Sequence, residues 1–404
     1  MSTTAKKKAA KGRKDQKDQP GAPAFVASAA ALADAVGVVC SVVPRKSTLC
    51  EQVSMVLVEW GPRSVALTGS DGESRVTVPV SGATAHGRSG LVLVPAAALK
   101  AATKELKTED EVEVEVDERH NVVLSVDGVR VSLAGMDAQD YPAMATGDKA
   151  AEVTVSAERL AVMLEAVSYA AHDKVTRYAM HGVCLEVGGG ELRLVATDGK
   201  RLSTAWAPLP GESESRCAIL PVPAARLVEQ LARACDPDDL AAVELGQNGA
   251  GQLASASFRL GDAAVCCRLL VGHYPPYRDV LPKDHKTSAK FDRAELVRGL
   301  RRASLLASKD SLAVRCKFTG DKSGELVMTA RVPETGEVTV TVPCEVEGLD
   351  VEAGFNPGYW LDLLKVWPED EVTLLLQSGW AAAYVTCEGG DVSRLALVMP
   401  LALG

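Results

Sequence analysis

The chain has 404 residues, of which 47% are hydrophobic and 24% charged, and its formal net charge is −9 at pH 7. This length allows about two to four domains, each with a core of its own. Aromatic residues make up only 4% of the chain, so we expect cores built mainly of Val, Leu and Ala and no large aromatic-lined cofactor cleft.

The ten cysteines are scattered, at positions 40, 50, 184, 217, 235, 266, 267, 316, 344 and 387. They form no C-x-x-C pair, and no His lies at zinc-ligand spacing from them. The sequence also contains no signal peptide and no apolar run of about 18 residues or more. We therefore expect a cytoplasmic protein with free thiols, no metal, no cofactor and no membrane span.

Residues 1–24 differ in composition from the rest of the chain. They are rich in lysine and almost free of bulky apolar side chains, which predicts a disordered basic tail. In residues 1–20, six Lys and one Arg against two Asp leave a charge of +5, so the remaining chain carries −14. Such an acidic body repels nucleic acid over most of its surface, whereas the tail is suited to contact phosphates. A tail that only solubilises the chain is an equal alternative.

Beyond the tail, the sequence contains an internal repeat of predicted helices and strands. A helix-like segment at 25–39 leads into strands, and a Ser-Asp-Gly turn lies within 64–78. A second helix is predicted at 94–107, and strands around "EVEVEV" and "VRVSLAG" close the first repeat.

Two further repeats follow in the same order. The second has helices at 156–171 and 222–235, with a Thr-Asp-Gly turn between them, and the third has helices at 292–308 and 356–367. Asp292 and Glu295 lie at capping-box spacing. We predict an α+β protein with domains at 25–147, 148–287 and 288–404, each with two helices packed on antiparallel sheets.

The stretch "LVATDGKRLS", residues 194–203, contains the turn of the second repeat. Asp198-Gly199 between two apolar runs is a strong hairpin signal, since Gly adopts positive φ at no steric cost. On the simplest interpretation, Lys200 and Arg201 are solvated turn residues. The first repeat keeps the turn but has Glu73 in place of the first cation, so the two cations are particular to the second repeat.

Several predicted helices carry cations on one face and apolar residues on a neighbouring face. Such cations attract phosphates without reading bases; that they only solvate an exposed helix is an equal alternative. They are Lys100, Lys104 and Lys107 in the first repeat, Arg226 and Arg233 in the second, and Arg298, Arg301 and Arg302 in the third.

Five motifs, in the right order, resemble the DNA polymerase III beta subunit family, the bacterial sliding clamps. The family's A-T-D-G-H-R-L-A motif stands here at 196–203. The others are "YPPYRDVLP" at 274–282, "RRASLLAS" at 301–308, "FNPGYWLDLL" at 355–364 and "LVMPLAL" at 397–403. The first repeat matches more loosely, and the resemblance covers residues 25–403.

The resemblance implies a head-to-tail homodimeric ring of six domains, with helices lining a channel for duplex DNA. Such a processivity factor binds DNA regardless of sequence and makes no bonds. Its implied partners in DNA replication are the DNA polymerase III alpha subunit, the clamp loader and other clamp-motif proteins. The chain has no P-loop, G-x-S-x-G or H-E-x-x-H motif, which also argues against an enzyme.

The resemblance implies three groups of site residues. DNA contacts at one rim of the channel are implied for Lys46, Lys174, Arg177 and Tyr178. Ring closure would place Val131 and Leu133 opposite Leu305 and Leu306, although all four also suit an ordinary core. A pocket for a partner peptide bearing Gln, Leu and Phe is implied for Met180, Thr197, Gly199, Lys200, Arg201, Leu202, Pro275, Val280, Asn356, Tyr359, Leu397, Val398, Met399, Pro400 and Leu401.

Three positions in this pocket depart from the family pattern. Lys200 stands where the family has His, Asp279 where it usually has Arg, and Ala402 where it has Arg near the C-terminus. These changes predict a shifted peptide preference, toward a more basic ligand. They also leave open an alternative function, a diverged accessory clamp or a clamp-like decoy that binds partners without encircling DNA.

Overall fold

A computed structural model gives the fold of residues 23–46, 50–86, 89–139, 141–172, 174, 178–211, 214–306, 313–320, 324–332 and 336–403. The basic tail predicted at 1–24 lies outside these residues except for its last two, and Arg177 also lies outside them. The chain divides into two compact units. The first comprises residues up to 72 with 76–143, and the second comprises 73–75 with the chain from 144 onward.

The first unit contains one full repeat. Its sheets have the strand orders β5-β1-β7-β8-β9 and β4-β3-β2-β6. Its elements are β1 (Phe25–Ser28), α1 (Ala29–Val42), β2 (Met55–Gly61), β3 (Ser64–Ser70), β4 (Ser74–Pro79), β5 (Thr84–Ala85), β6 (Gly90–Pro95), α2 (Ala96–Lys104), β7 (Glu111–Val116), β8 (Val122–Val126) and β9 (Val129–Leu133).

The second unit contains the other two repeats. Its elements are β10 (Asp148–Ser156), α3 (Ala157–Ser168), β11 (Gly182–Gly188), β12 (Glu191–Thr197), β13 (Arg201–Pro208), β14 (Arg216–Pro221), α4 (Val222–Arg233), β15 (Leu240–Gln247), β16 (Leu253–Leu260), β17 (Ala263–Arg268), β18 (Thr287–Asp292), α5 (Arg293–Ala303), β19 (Val314–Thr319), β20 (Glu325–Val332), β21 (Gly336–Pro343), β22 (Glu345–Gly348), β23 (Val351–Phe355), α6 (Pro357–Lys365), β24 (Glu371–Leu376), β25 (Ala383–Cys387) and β26 (Ser393–Val398).

The strands of the second unit form three groups. Their orders are β10-β15-β16-β17, β14-β11-β12-β13-β26-β25-β24-β18-β22 and β21-β20-β19-β23. The nine-stranded sheet is continuous because β13 of the second repeat pairs antiparallel with β26 of the third. This pairing therefore joins the two repeats through backbone hydrogen bonds.

Each repeat begins with a strand that ends on a helix-capping residue. The side chain of Ser28 accepts a hydrogen bond from the Ala31 N–H at 3.2 Å, and Ser156 caps α3 in the same way. Asp292 accepts from the Glu295 N–H at 2.8 Å, as the capping spacing predicted. In the first repeat the helix starts only at Ala29, because the preceding four residues form β1.

The two helices of each repeat pack together: α1 contacts α2, α3 contacts α4, and α5 contacts α6. Their buried faces are mainly Ala, Val and Leu, as in Leu32, Val36 and Val39 of α1. The core of the third repeat also holds aromatic rings, with Phe355 and Trp360 packed edge to face. The predicted α+β class, with three repeats of two helices on antiparallel sheets, is confirmed.

The prediction that Lys107 lies on the cationic face of α2 is wrong, because α2 ends at Lys104. A local turn competes with a further turn of helix. The Asp110 carboxylate accepts from the Lys107 N–H, and the Asp110 N–H donates to the Lys107 carbonyl, both at 3.0 Å. Within the described residues, no helix is long and apolar enough to cross a membrane.

Close packing of α5 on β20 and β21 predicts a specific stability effect. A Cβ at Gly299 would overlap Val342 Cγ2 and approach Met328 Cε to 2.9 Å. We expect Gly299→Ala to lower the free energy of unfolding by about 1–3 kcal/mol, since overpacking displaces neighbours. The matched control is Gly37→Ala in α1, where a Cβ meets nothing within 4 Å. This substitution should raise the free energy of unfolding by about 0.5–1 kcal/mol. Thermal unfolding of both variants checks this; equal effects would contradict it.

Candidate functional site

The turn between β12 and β13 is fixed by its own side chains. Asp198 Oδ1 accepts hydrogen bonds from the N–H groups of Lys200 and Arg201 at 2.9 and 3.0 Å. The Thr197 hydroxyl donates to the Arg201 carbonyl at 2.6 Å and accepts from the Gly199 N–H at 3.1 Å. Gly199 has φ of +85°, which favours glycine. The hairpin turn predicted from the sequence is confirmed.

Arg201 is anchored, whereas Lys200 is exposed. The Arg201 guanidinium donates to Asp198 at 3.1 Å and to Asp362 of α6 at 2.6 Å. It also lies 4.7 Å from the ring centroid of Tyr359 and 5.5 Å from that of Tyr169. The interpretation of both cations as solvated turn residues therefore holds only for Lys200.

Burial and charge act in opposite directions on Arg201. Burial lowers the pKa of its guanidinium, but the hydrogen bond to Asp362 and the charges of Asp198 and Asp362 raise it above its ordinary value. Burial also raises the pKa of the neighbouring Tyr169 phenol. Arg201 is thus a fixed cation at the junction of the second and third repeats.

The strand partner of this turn supplies apolar residues. Arg201 lies opposite Val398 and Leu202 opposite Leu397, and the Met399 N–H donates to the Lys200 carbonyl at 2.8 Å. Leu202 and Leu397 belong to a buried cluster with Val195, Tyr277 and Tyr384. Tyr274 and Leu281 pack against this cluster, so the segment around 274–281 lies over the same part of the sheet.

The predicted pocket residues differ in exposure. Thr197, Leu202, Leu397 and Val398 are buried. Met180, Arg201, Pro275, Asn356, Tyr359, Pro400 and Leu401 are half-buried, and Gly199, Lys200, Val280 and Met399 are exposed. Hydrogen bonds, ring contacts and strand pairing bring together Thr197, Gly199, Lys200, Arg201, Leu202, Tyr359, Leu397, Val398 and Met399.

Other pocket residues have local roles. The Asn356 side chain caps α6 by accepting from the Gly358 N–H at 2.9 Å, and the Leu401 N–H donates to the Gly354 carbonyl at 2.8 Å. The Met180 carbonyl accepts from the His172 N–H at 2.9 Å, and the Pro275 carbonyl accepts from the Tyr277 N–H at 2.7 Å. The bonds of Asn356, Met180 and Pro275 are local, whereas that of Leu401 reaches Gly354 at the end of β23.

Two of the positions that depart from the family pattern, Asp279 and Ala402, are exposed. Lys200 is exposed as well. Lys200 and Asp279 can therefore act on a ligand by charge without first breaking contacts in the core, and Ala402 adds no charge where the family has Arg.

The structure adds residues at this site that sequence reasoning missed, namely Tyr169, Asp362, Tyr274 and Tyr277. Asp362 lies three positions after Tyr359 on α6, so helical spacing could have placed both on one face. Tyr169 follows α3 directly and carries no comparable local signal.

The predicted helix cations fall into two groups. Lys100, Lys104, Arg226, Arg301 and Arg302 are exposed, and none forms an ion pair with another residue in the described ranges. Of the other three, Lys107 lies beyond its helix, and two are neutralised locally. Arg233 pairs with Glu165 at 2.5 Å and with Glu229 at 3.3 Å, and Arg298 pairs with Glu295.

Among the predicted rim and interface residues whose side chains the structure describes, all but one are exposed or half-buried. Lys46 and Lys174 are exposed, and Tyr178 is 42% exposed. Val131 and Leu133 lie on β9, an edge strand of its sheet. Leu133 is the exception, because its side chain is buried.

The interface leucines contrast in exposure. Leu305 is 77% exposed, whereas Leu133 is only 9% exposed. Leu305 and Leu306 belong to a short 3-10 helix that follows α5 and contacts β20 and β21. An ordinary core role therefore suits Leu133 but not Leu305 in the single chain.

Three copies of a helix pair on antiparallel sheets define a three-domain clamp protein. Models of the DNA polymerase III beta subunit match the chain in order: the N-terminal domain at 24–145, the central domain at 154–276 and the C-terminal domain at 278–402. The chain belongs to the DNA polymerase III beta subunit family. The resemblance read from the sequence is confirmed.

Relatives match over nearly their whole length. The chain is 28% identical over 379 residues to the beta sliding clamp of Pseudomonas putida, covering 94% of this chain and 100% of the relative. It is 26% identical over 348 residues to that of Escherichia coli, covering 86% and 91%. These relatives support the sliding-clamp function over the alternative of a decoy.

Solved structures agree. A sliding clamp from Pseudomonas aeruginosa bound to griselimycin has a TM-score of 0.84 at 26% identity, over 95% of this chain and 100% of that one. A Bacillus subtilis sliding clamp, at 22% identity and a TM-score of 0.81, covers 94% of this chain and 99% of its own and shows the shared fold.

Proposed function

We propose that two copies of this chain join head to tail into a ring that encircles duplex DNA and holds the replicative polymerase on it. One observation carries the proposal. Each of the three repeats has cations on an exposed helix face, although the chain as a whole has a net charge of −9. Cations on a helix face can contact the phosphates of DNA of any sequence. A protein that slides along DNA requires such contacts. The ring holds the polymerase on DNA by encircling the duplex, so the chain itself catalyses no reaction. It acts as an accessory subunit in the cytoplasm.

Ring closure follows from unpaired strand edges. The edges at β9 in the first repeat and β21 in the third each leave a row of backbone groups without a partner in the described chain. Pairing such edges between copies satisfies these groups. In the proposed ring Val131 of one copy faces Leu305 and Leu306 of the other, which gives the exposed Leu305 an apolar contact, whereas the buried Leu133 packs in the core of its own chain.

The ring predicts a mass of twice 42.4 kDa by light scattering and retention on circular but not linearised DNA. Leu305→Asp with Leu306→Asp should give folded monomers that circular DNA no longer retains, because two carboxylates would be buried in each interface. Leu349→Asp, at a leucine 62% exposed elsewhere in the third repeat, is the matched control. A dimer that persists in the double variant, or retention indifferent to DNA ends, would contradict the proposal.

We assign the DNA contacts chiefly to the five exposed helix cations without an ion-pair partner in the described chain, with Lys46, Lys174, Arg177 and Tyr178 at the rim. Arg233 and Arg298 contribute less, since each must first leave a carboxylate. Lys107 lies beyond its helix and is not part of that face.

Replacing Lys46, Lys174 and Arg177 by Ala should lower DNA affinity and flatten its salt dependence. The slope of log K against log salt should fall by about 0.9 for each phosphate that the variant no longer neutralises. The control is Ala at Lys149, Arg259 and Lys290, three cations in ion pairs on strands, which removes the same charge. The test is the DNA affinity of both variants at several salt concentrations. An unchanged slope in the first variant would show that Lys46, Lys174 and Arg177 do not bind DNA.

The surface around the Arg201 turn is the proposed peptide pocket for the polymerase alpha subunit, the clamp loader and other clamp-motif proteins. In this proposal the buried Leu202 and Leu397 supply the apolar cluster under the site, and the exposed Met399 and Val280 supply apolar side chains that a peptide can contact. Met adapts to ligands of different shape. The hydrogen bonds from Arg201 to the two aspartates use two of its five N–H donors, which leaves donors for peptide carbonyls.

Charge at the pocket has changed relative to the family pattern. Lys200 in place of His adds about one positive charge, whereas Asp279 and Ala402 in place of two Arg remove about three. The balance is about two charges more negative, at exposed positions. We therefore propose that the pocket prefers a peptide more basic than the usual family ligand.

A Gln-Leu-Phe peptide with an added Lys should bind about two- to fivefold more tightly than its neutral counterpart, the range expected of an exposed ion pair. Asp279→Arg should reverse this preference, whereas Asp262→Arg, at an exposed position on the β16–β17 turn, should not. Fluorescence anisotropy at low salt measures both. Equal affinity for the two peptides would refute the shift while leaving the pocket itself intact.

A further inference from the structure

Two cysteines on neighbouring strands place their sulfur atoms in contact. Cys184 lies on β11 and Cys217 on β14, and the register sets Glu186 opposite Cys217 and Ile219 opposite Cys184. Directly opposed residues of antiparallel strands share one face, so the two cysteines are diagonal neighbours on that face. Their Sγ atoms are 3.1 Å apart.

The two sulfurs differ in access. Cys184 is fully buried in the cluster that contains Leu202 and Tyr277. Cys217 is exposed and lines an open cavity of about 270 Å³, together with Arg216 and Arg278. A small solute in this cavity therefore meets Cys217 first, and it reaches Cys184 only past that residue.

The contact also makes the two sulfurs chemically unequal. The hydrogen bond from the Cys184 thiol lowers the pKa of Cys217 below its ordinary value, against the effects of burial and Glu186. The same bond, with burial, raises the pKa of Cys184. The exposed sulfur thus has more thiolate character, and the thiolate is the reactive form of cysteine.

We propose that Cys184 and Cys217 are a modification site, at which a small peroxide converts the thiol pair into a reversible disulfide. The Cys217 thiolate attacks one peroxide oxygen, the O–O bond breaks, and a sulfenic acid forms as hydroxide leaves and is protonated to water. The Cys184 sulfur then attacks the sulfenic sulfur, the S–O bond breaks, and the oxygen leaves as water with the Cys184 proton. Two electrons pass from the thiols to the peroxide, and two equivalents of a small thiol return them.

The sulfur atoms are close enough for this bond to form with a small local movement. Closing their separation from 3.1 Å to a disulfide length near 2.05 Å requires about 1 Å, together with a shift of the strands, because diagonal neighbours lie about 7–8 Å apart and a disulfide joins Cα atoms at most about 7 Å apart. The other neighbouring cysteines, Cys266 and Cys267, are consecutive in β17, so their side chains point to opposite faces. They provide an internal control for thiols that are close in sequence only.

A metal ion is the competing occupant. Donor atoms of Cys184, Cys217 and Glu186 all lie within 4.8 Å of one another, and these three are the whole group within the described chain. A closed structural zinc site takes four ligands. Glu186 already accepts from the Tyr277 hydroxyl at 2.9 Å and from Arg278 at 2.5 Å. The donor set therefore favours the disulfide.

The test uses the full-length reduced protein, treated with hydrogen peroxide, alkylated and mapped by mass spectrometry without reductant. We expect a peptide pair joined through Cys184 and Cys217 that small thiols separate. In Cys184→Ser the sulfenic acid at Cys217 should persist and react with dimedone, and in Cys217→Ser oxidation at position 184 should slow by about tenfold or more. Cys266→Ser should behave as the unchanged protein.

Two results would overturn the proposal. One is oxidation of other cysteines with Cys184 and Cys217 still alkylated as free thiols. The other is one zinc ion per chain that protects both thiols from peroxide. The map of the unchanged protein decides even where a variant folds poorly, and neither ring formation nor peptide binding enters the readout.

Discussion

The antiparallel pairing of β13 with β26 is the interaction on which the candidate site depends. It sets Leu202 opposite Leu397 and Arg201 opposite Val398, so residues from the middle and the end of the chain share one surface. The hydrogen bond from Met399 to the Lys200 carbonyl, at 2.8 Å, extends the ladder to the turn. Because the sheet is continuous across the two repeats, the buried Leu202 and Leu397 and the Arg201 cation are held by one hydrogen-bonded framework.

Arg201 shows how this framework handles a charge that is largely withdrawn from water. Its side chain is 13% exposed, and it is paired with Asp198 and Asp362 and stacked near Tyr359. Removing charges from water offsets much of the Coulomb gain, so such pairs fix geometry more than they add stability. Asp198 comes from the turn itself and Asp362 from α6 of the next repeat. The cation therefore ties the orientation of that helix to the turn, and its guanidinium is already positioned for the peptide proposed to bind here.

Local signals in the sequence were enough to predict the fold. Contacts between residues far apart in the sequence could not be predicted from it. Ser28, Ser156 and Asp292 mark helix starts by capping chemistry, and Asp198-Gly199 marks a hairpin; each acts within a few residues. The prediction for Lys107 was wrong because Asp110, three positions further along, forms hydrogen bonds that end the helix. The spacing of charged and apolar residues does not reveal such bonds. The Arg201–Asp362 contact joins a turn to a helix of the next repeat, which no local pattern indicates. The Cys184–Cys217 contact depends on strand register, and a one-residue slip would abolish it. Cysteines that looked scattered along the sequence are therefore adjacent in the sheet.

The charges on the helices show a further balance that the sequence pattern alone did not reveal. Lys100, Lys104 and Arg226 are exposed cations, whereas Arg233 is held between Glu165 and Glu229. Each cation that neutralises a phosphate adds to the salt dependence of binding, and a ring that must move along DNA gains nothing from phosphate contacts too strong to exchange. An arginine already paired with two carboxylates exposes a weaker field than a free one, since a phosphate must displace a partner before it binds. In the proposed DNA-binding role, intramolecular acids limit how strongly a cationic helix face holds DNA. An acidic chain with selected helix cations that have no ion-pair partner among the described residues is suited to a clamp that closes by topology rather than by affinity.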